Sequence, residues 1–429
     1  MKGWLYVKKI KWLSALLILA VITAGCGGAG NAGDSSAGNG KTTITFLNGF
    51  TGGDGGYMKK ITDGFNSSQD KYFIKEMQEK DHYTKFKSGK YDLVVIHANN
   101  LQTYKMDGMI RDITPVMEKA GLQESDFHPA AADLARLDGK MYGLPLDIHP
   151  LTMFYNKELV AEAPQTYADL AALHAELQAK DQNLFAIGVP SSGIVEFYIM
   201  TIAAQNGIQL QQDNYLNFNQ PAFADALLTF HDMIWKDKLS PAGLGLDGEF
   251  QAFMKEAQDA NASVQTAVAM TGPWFYGAAK DKFGDKLGIG PVPQLGTEQA
   301  VYGNGHILAL PAGVKDDNVL DGIAEYLKYM FTTENVIHWA EAGQAPAHAA
   351  TMKYIEENQD KYPLSYANQQ QFETYVKAPQ VYQFGEQMRY MNEKVFSKVV
   401  LTENLSKDEL MQELDTATEN AKQIAATQP

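Results

Sequence analysis

Along the chain, short runs of alternating apolar and polar residues are interleaved with stretches in which apolar residues recur every three or four positions. Residues 42–47 (Thr42-Thr-Ile-Thr-Phe-Leu47) alternate with the period of a half-buried strand. The spacing predicts a helix over 57–65, a second strand over 71–77 and a buried strand over 93–96. In residues 221–238, Phe223, Leu227, Phe230 and Ile234 fall on one helical face, and 383–398 and 406–426 are also expected to be helical. Strands alternating with helices point to an α/β layered fold. The 388 residues after position 41 exceed one ordinary core and suffice for two lobes.

The N-terminal stretch follows a different pattern. Lys8, Lys9 and Lys11 precede an apolar run over residues 12–23, which suits a signal-peptide core and falls short of the ~20 residues that span a bilayer. Residues 1–25 are therefore expected to be removed. Residues 27–41 contain glycines, Asn31, Ser35, Ser36 and Asn39 with almost nothing apolar, the composition of a flexible tether. Cleavage would remove Lys2, Lys8, Lys9 and Lys11 and no acid, taking the formal charge from −15 to −19. That balance argues against nucleic acid as a partner. Cys26 is the sole cysteine, which excludes an internal disulfide and a cysteine zinc site. Ala24-Gly-Cys26 resembles the bacterial lipobox, with Thr23 departing from its usual branched aliphatic residue. The resemblance implies lipidation of Cys26, and two or three acyl chains at ~0.8 kcal/mol per buried methylene would hold the protein on a membrane.

Chemistry is expected at loops beyond strand ends, where open α/β sheets bind ligands. The glycine-rich loop from Asn48 to Gly56 follows the first strand and opens a helix, but fits neither G-x-G-x-x-G nor the Walker pattern. The chain contains no His-Glu-x-x-His, no Gly-x-Ser-x-Gly elbow and no EF-hand loop. Its nine histidines are scattered. His149 and His306, each in a loop beside an apolar strand, read as hydrogen-bonding residues rather than metal ligands, so neither metal nor cofactor is expected. Asp147 and Glu196 stand as an alternative pair of carboxylates for glycoside hydrolysis, which needs them ~5 to 9.5 Å apart across a cleft.

Four segments carry a family resemblance. They are the first strand and its loop (Thr45-Phe-Leu-Asn-Gly-Phe-Thr-Gly-Gly-Asp-Gly), residues 139–159 with Tyr155-Asn-Lys157, residues 267–276 with Gly272-Pro-Trp274, and residues 326–347. In order and spacing they resemble the extracellular solute-binding proteins of bacterial ABC importers, in particular the carbohydrate-binding, maltose-binding-protein-like family. The resemblance implies a two-lobed α/β periplasmic-binding-protein-like fold, with lobe one from 42–147 and 308–344 and lobe two from 151–304 and 348–429. It implies a monomeric binding protein, not an enzyme, that closes its lobes over a mono- or oligosaccharide and delivers it to the transmembrane subunits of an ABC permease. The expected location is the outer face of the cell membrane, extracellular or periplasmic. A sugar-sensing module for a membrane receptor is the alternative, and a surface glycosidase a more distant one. Residues 81–91 are shorter than the family's helix before the third strand, which would widen the groove there.

Sugars present hydroxyl rims and C–H faces, so their sites combine planar hydrogen-bonding groups with aromatic platforms. The resemblance places Trp274 on the cleft wall as such a platform, with Phe50 and Thr51 in the first loop. Asn48 either orients that loop or binds a hydroxyl, and Asn99 either binds a hydroxyl or caps a helix. His149 takes the family's polar contact position at a crossover, with Asp147 two residues earlier and pointing the same way in a strand. Glu196 either faces the cleft or serves a helix terminus. Asn304 and His306 fall near another crossover, where Gly303 and Gly305 permit close approach.

Overall fold

The computed structural model describes residues 40–429, so Cys26, the expected signal peptide and most of the tether lie outside the described residues. Thr42–Asn48 forms the strand its alternation predicts, with Ile44, Phe46 and Leu47 fully buried. It is flanked in parallel by Tyr72–Gln78 and Leu93–His97. His306–Pro311 joins antiparallel to Leu93–His97, with His306 opposite His97 and Ile307 opposite Ile96. Ile110–Arg111 and Leu144–Pro145 complete this six-stranded sheet. The helix Gly55–Ser68 begins inside the glycine-rich loop and lays Met58, Ile61 and Phe65 on the sheet at helical spacing.

A second sheet runs in the order Leu184–Gly188, Gln265–Thr271, Thr152–Asn156, Leu287–Gly290. Its first pair is parallel and the other two are antiparallel. The two sheets have separate hydrophobic cores. One draws on residues 44–148 and 307–347 with Phe372, the other on 151–302 and 378–421. The chain therefore passes from one core to the other between residues 148 and 151, between 302 and 307, and again between 347 and 378. A three-stranded ribbon of Tyr375–Lys377, Val301–Asn304 and His149–Pro150 lies at these passages. Gly303 pairs with Pro150 and Asn304 with His149, so this register delivers His149 beside the strand that leads to His306.

Residues 383–398 are helical, with one irregularity the spacing does not predict: Phe384–Tyr390 passes through a π-helical turn, Met391–Val395, into Phe396–Leu401. The widened turn lets Met391, Val395 and Phe396 all reach the second core, where each is fully buried. The short segment expected to widen the groove follows residue 80. It folds into the helix His82–Ser88, which buries His82 and Phe86 and sets the His82 imidazole against Gly49. A Cβ on Gly49 would lie 2.5 Å from that ring, so the approach requires glycine.

Candidate functional site

The site is organised around a carboxylate that no solvent reaches. Asp147 is fully buried in the segment between Leu144–Pro145 and His149–Pro150, where it forms a bridge with Pro346. Burying a charge this deeply is costly unless hydrogen bonds replace water. Here four donors do so. His149 Nδ1–H and the backbone N–H of His306 donate to Oδ1, each at 3.0 Å, and His306 Nδ1–H and Trp339 Nε1–H donate to Oδ2 at 2.8 and 2.7 Å. Burial alone would raise the Asp147 pKa. The charge that His306 can carry and the two imidazole hydrogen bonds outweigh it and hold the carboxyl well below its ordinary range.

Above the carboxylate, three imidazoles converge. The ring centroids of His149 and His306 are 4.4 Å apart, those of His97 and His306 4.7 Å, and those of His97 and His149 5.4 Å. Strand ends from the first sheet supply His97 and His306, and the crossover ribbon supplies His149. His97 Nδ1 meets the Tyr83 hydroxyl at 2.5 Å, and the same hydroxyl oxygen accepts the His97 backbone N–H at 2.9 Å. Burial, reinforced by the neighbouring imidazoles, pushes His97 well below its ordinary pKa; burial and His306 lower His149. Burial and His306 also bring His82 down to about 4. At neutral pH, His82, His97 and His149 are uncharged hydrogen-bonding groups.

These rings line a cavity of about 140 Å³ that also touches Phe50, Asp54, Trp274 and Gln344. Phe50 meets His306 edge-on at 4.9 Å and packs against Trp339 at 4.7 Å. Trp274 closes the far side from the second sheet, in the turn Pro273–Phe275 that follows Gln265–Thr271, and 41 % of its surface stays exposed. Gly272 makes this pose accessible, since a Cβ there would lie 2.1 Å from the indole. Two residues on, Tyr276 lines a second cavity of about 250 Å³ with Tyr57, Lys280, Gly343 and Tyr362. In the first cavity, His82 Nδ1 and Gln344 Oε1 are buried without a hydrogen-bond partner.

Of the residues singled out in the sequence, Phe50, His149, Trp274 and His306 meet at this cavity, with Asp147 behind them. The others stand apart. Asn48 is fully buried; its amide donates to Glu76 Oε1 at 2.9 Å and its carbonyl accepts from Phe50 N–H at 3.1 Å, so it orients the loop and offers nothing to a ligand. Thr51 is exposed and lies outside the cavity lining; Asn99 also lies outside it, half-buried, with its Oδ1 buried without a partner. Asn304 turns its carbonyl onto Gly305 N–H at 2.9 Å. Glu196 accepts from the Tyr302 hydroxyl at 3.2 Å and from Asn392 at 3.5 Å, and burial raises its pKa. Glu196 does not line the cavity, and both Asp147 oxygens are engaged inside the protein, so the two do not form a facing glycosidase pair.

Sequence reasoning missed His82, His97, Asp54 and Gln344 in the first cavity and Tyr57, Tyr276 and Tyr362 in the second. The available signal for His97 was its place at the end of the fully apolar run Leu93-Val-Val-Ile96, where a strand of an α/β sheet opens onto its cleft.

Two α/β cores with an aromatic-walled cleft at the crossing strands define a bilobal binding protein. The family model described as bacterial extracellular solute-binding protein matches residues 83–353, and the chain belongs to that family. It is 26 % identical over 261 residues to the maltooligosaccharide ABC transporter solute-binding lipoprotein of Streptococcus pneumoniae TIGR4, a match spanning 58 % of each chain. The match thus covers little more than half the length of that curated relative. The multiple sugar-binding protein of Streptococcus mutans is 24 % identical over 361 residues, covering 80 % of this chain and 82 % of its own. Among solved structures, the GacH receptor of Streptomyces glaucescens GLA.O, described unliganded and with acarbose, superposes with a TM-score of 0.74 at 22 % identity. That superposition covers 89 % of this chain and 99 % of the receptor, and it shows the shared fold.

Proposed function

We propose that this chain is the carbohydrate-capturing component of an ABC importer, held outside the cell membrane by lipid on Cys26. In this reading residues 42–147 and 308–344 form one lobe and 151–304 and 348–429 the other. A neutral sugar seats between them, its C–H face on Trp274 and its hydroxyls on the imidazoles and Asp54. The carrying observation is the placement of Trp274: a partly exposed indole on the side of the second sheet faces polar side chains of the first across a cavity lined by no lysine or arginine. The sugars named for the pneumococcal and S. mutans relatives support the same class of ligand.

Ligand contacts to both lobes at once favour the closed state, because only differential affinity moves such an equilibrium. The closed form is the one that docks on the permease, and the sugar leaves it chemically unchanged. The test is calorimetric titration with a series of neutral mono- and oligosaccharides, each recovered afterwards and checked for cleavage. Saturable one-to-one binding of an intact sugar, weakened about 30-fold or more by Trp274→Ala as expected for an aromatic hot spot, is the predicted result. Trp274→Ala with undiminished affinity removes the proposed platform, and a cleaved sugar replaces capture with hydrolysis.

A further inference from the structure

We infer that the three imidazoles at the base of the cleft, His97, His149 and His306, form a binding site for a divalent transition-metal ion. One ring nitrogen from each lies within 4.8 Å of one from each of the others. The hydrogen bonds below the cluster decide which ring nitrogens are free to bind an ion. Asp147 takes the Nδ1–H of both His149 and His306, which leaves their Nε2 lone pairs free. A carboxylate behind an imidazole is the arrangement that fixes the tautomer and orientation of metal-ligating histidines. His97 is backed by Tyr83 in the same sense. Its hydroxyl oxygen has two lone pairs, one holding the His97 backbone N–H and the second able to accept Nδ1–H when Nε2 binds an ion.

Convergence of lone pairs gives this floor a capacity beyond holding sugar hydroxyls. A single hydroxyl donates one hydrogen and a water two, whereas three imidazole acceptors around one point are satisfied together by a cation. Size agrees: about 140 Å³ is ample for an ion with one or two waters. An independent observation is the pair of orphaned polar atoms. His82 and Gln344, only 8 % and 2 % exposed, each have a buried polar atom with no partner on the wall of this cavity. A metal-bound water in the fourth position would offer such atoms a partner.

Three neutral nitrogen ligands suit zinc, nickel, cobalt or copper, and an ion held by three protein ligands keeps a position open. At ~2.0–2.1 Å per bond, tetrahedral nitrogens stand about 3.3 Å apart, so the rings draw inward on binding. The open position faces the cavity shared with Trp274, where a ligand oxygen can replace the water.

The experiment uses untagged protein stripped with a chelator and dialysed against Zn²⁺ alone, with Co²⁺ as a spectroscopic reporter of coordination geometry. The expected result is one equivalent of Zn²⁺ per chain and tetrahedral Co²⁺ bands, both lost in His97→Gln and in His149→Gln proteins that keep the wild-type circular dichroism. Asp147→Asn, if it folds, is expected to weaken Zn²⁺ binding by about 10- to 100-fold while retaining the stoichiometry. No Zn²⁺ uptake, or an equivalent of Zn²⁺ that survives both His→Gln substitutions, overturns the inference. So does a His149→Gln protein whose sugar affinity falls while its Zn²⁺ uptake is undiminished, since the rings are then a hydrogen-bonding floor only.

Discussion

Glu249→Gln is expected to stabilise the protein above neutrality and to do little in acid. Glu249 lies in the helix Gly248–Phe253 with no exposed surface, and its Oε2 has no partner. Oε1 accepts one long hydrogen bond, 3.3 Å, from Thr271, the residue that precedes the Gly272-Pro-Trp274 turn. Burial raises its pKa from 4.5 to about 7, with Asp247 adding to the shift. For an acid whose folded pKa is raised, the folded state binds the extra proton, so stability falls as pH rises through the window from 4.5 to about 7 and is flat above it. A difference of about 2.5 pKa units at 1.36 kcal/mol each gives a loss of about 3 kcal/mol. Glutamine keeps the shape and the neutral charge. Urea unfolding of both proteins at pH 4 and pH 8 measures the effect: the variant's advantage should grow by about 3 kcal/mol between the two. An advantage that is the same at both pH values, or a variant less stable than wild type at pH 8, would refute the buried-acid reasoning.

Trp339→Phe removes the indole N–H from the fully buried Asp147 carboxylate and should cost about 1.5–3 kcal/mol in urea unfolding, the range for a hydrogen bond to a charged group. Combined with Asp147→Asn the two losses should be less than additive, as a double-mutant cycle would reveal, because both act on one network. Cys26→Ser, which lies outside the described residues, should move the protein from the membrane fraction to the medium or periplasm with sugar affinity unchanged; continued membrane attachment would refute lipid anchoring.

Most of the fold was legible because it rests on local periodicity. Strand 42–47 and helices 57–65 and 221–238 agree with the observed elements to within a few residues. The π-helical turn at Met391–Val395 was not, since its apolar positions fit an ordinary helix equally well and the second core alone decides between them. The site was legible only residue by residue. Asp147, His149, Trp274 and His306 carry signals of their own, but the meeting of His97 with His306 depends on an antiparallel register between strands far apart in the chain. His82 was hidden for a similar reason, because a segment that looks too short gives no sign that its first helical residue turns inward against Gly49. Asn48, Asn304 and Glu196 misled because polar residues at strand and helix ends are as often satisfied by their own surroundings.

The account stands or falls on capture by closure of two lobes around a sugar. Small-angle scattering from the protein alone and with a saturating amount of its tightest-binding sugar tests this directly. A smaller radius of gyration with sugar, absent in Trp274→Ala at the same sugar concentration, is the predicted result; a saturated complex whose scattering is indistinguishable from that of the free protein would contradict it.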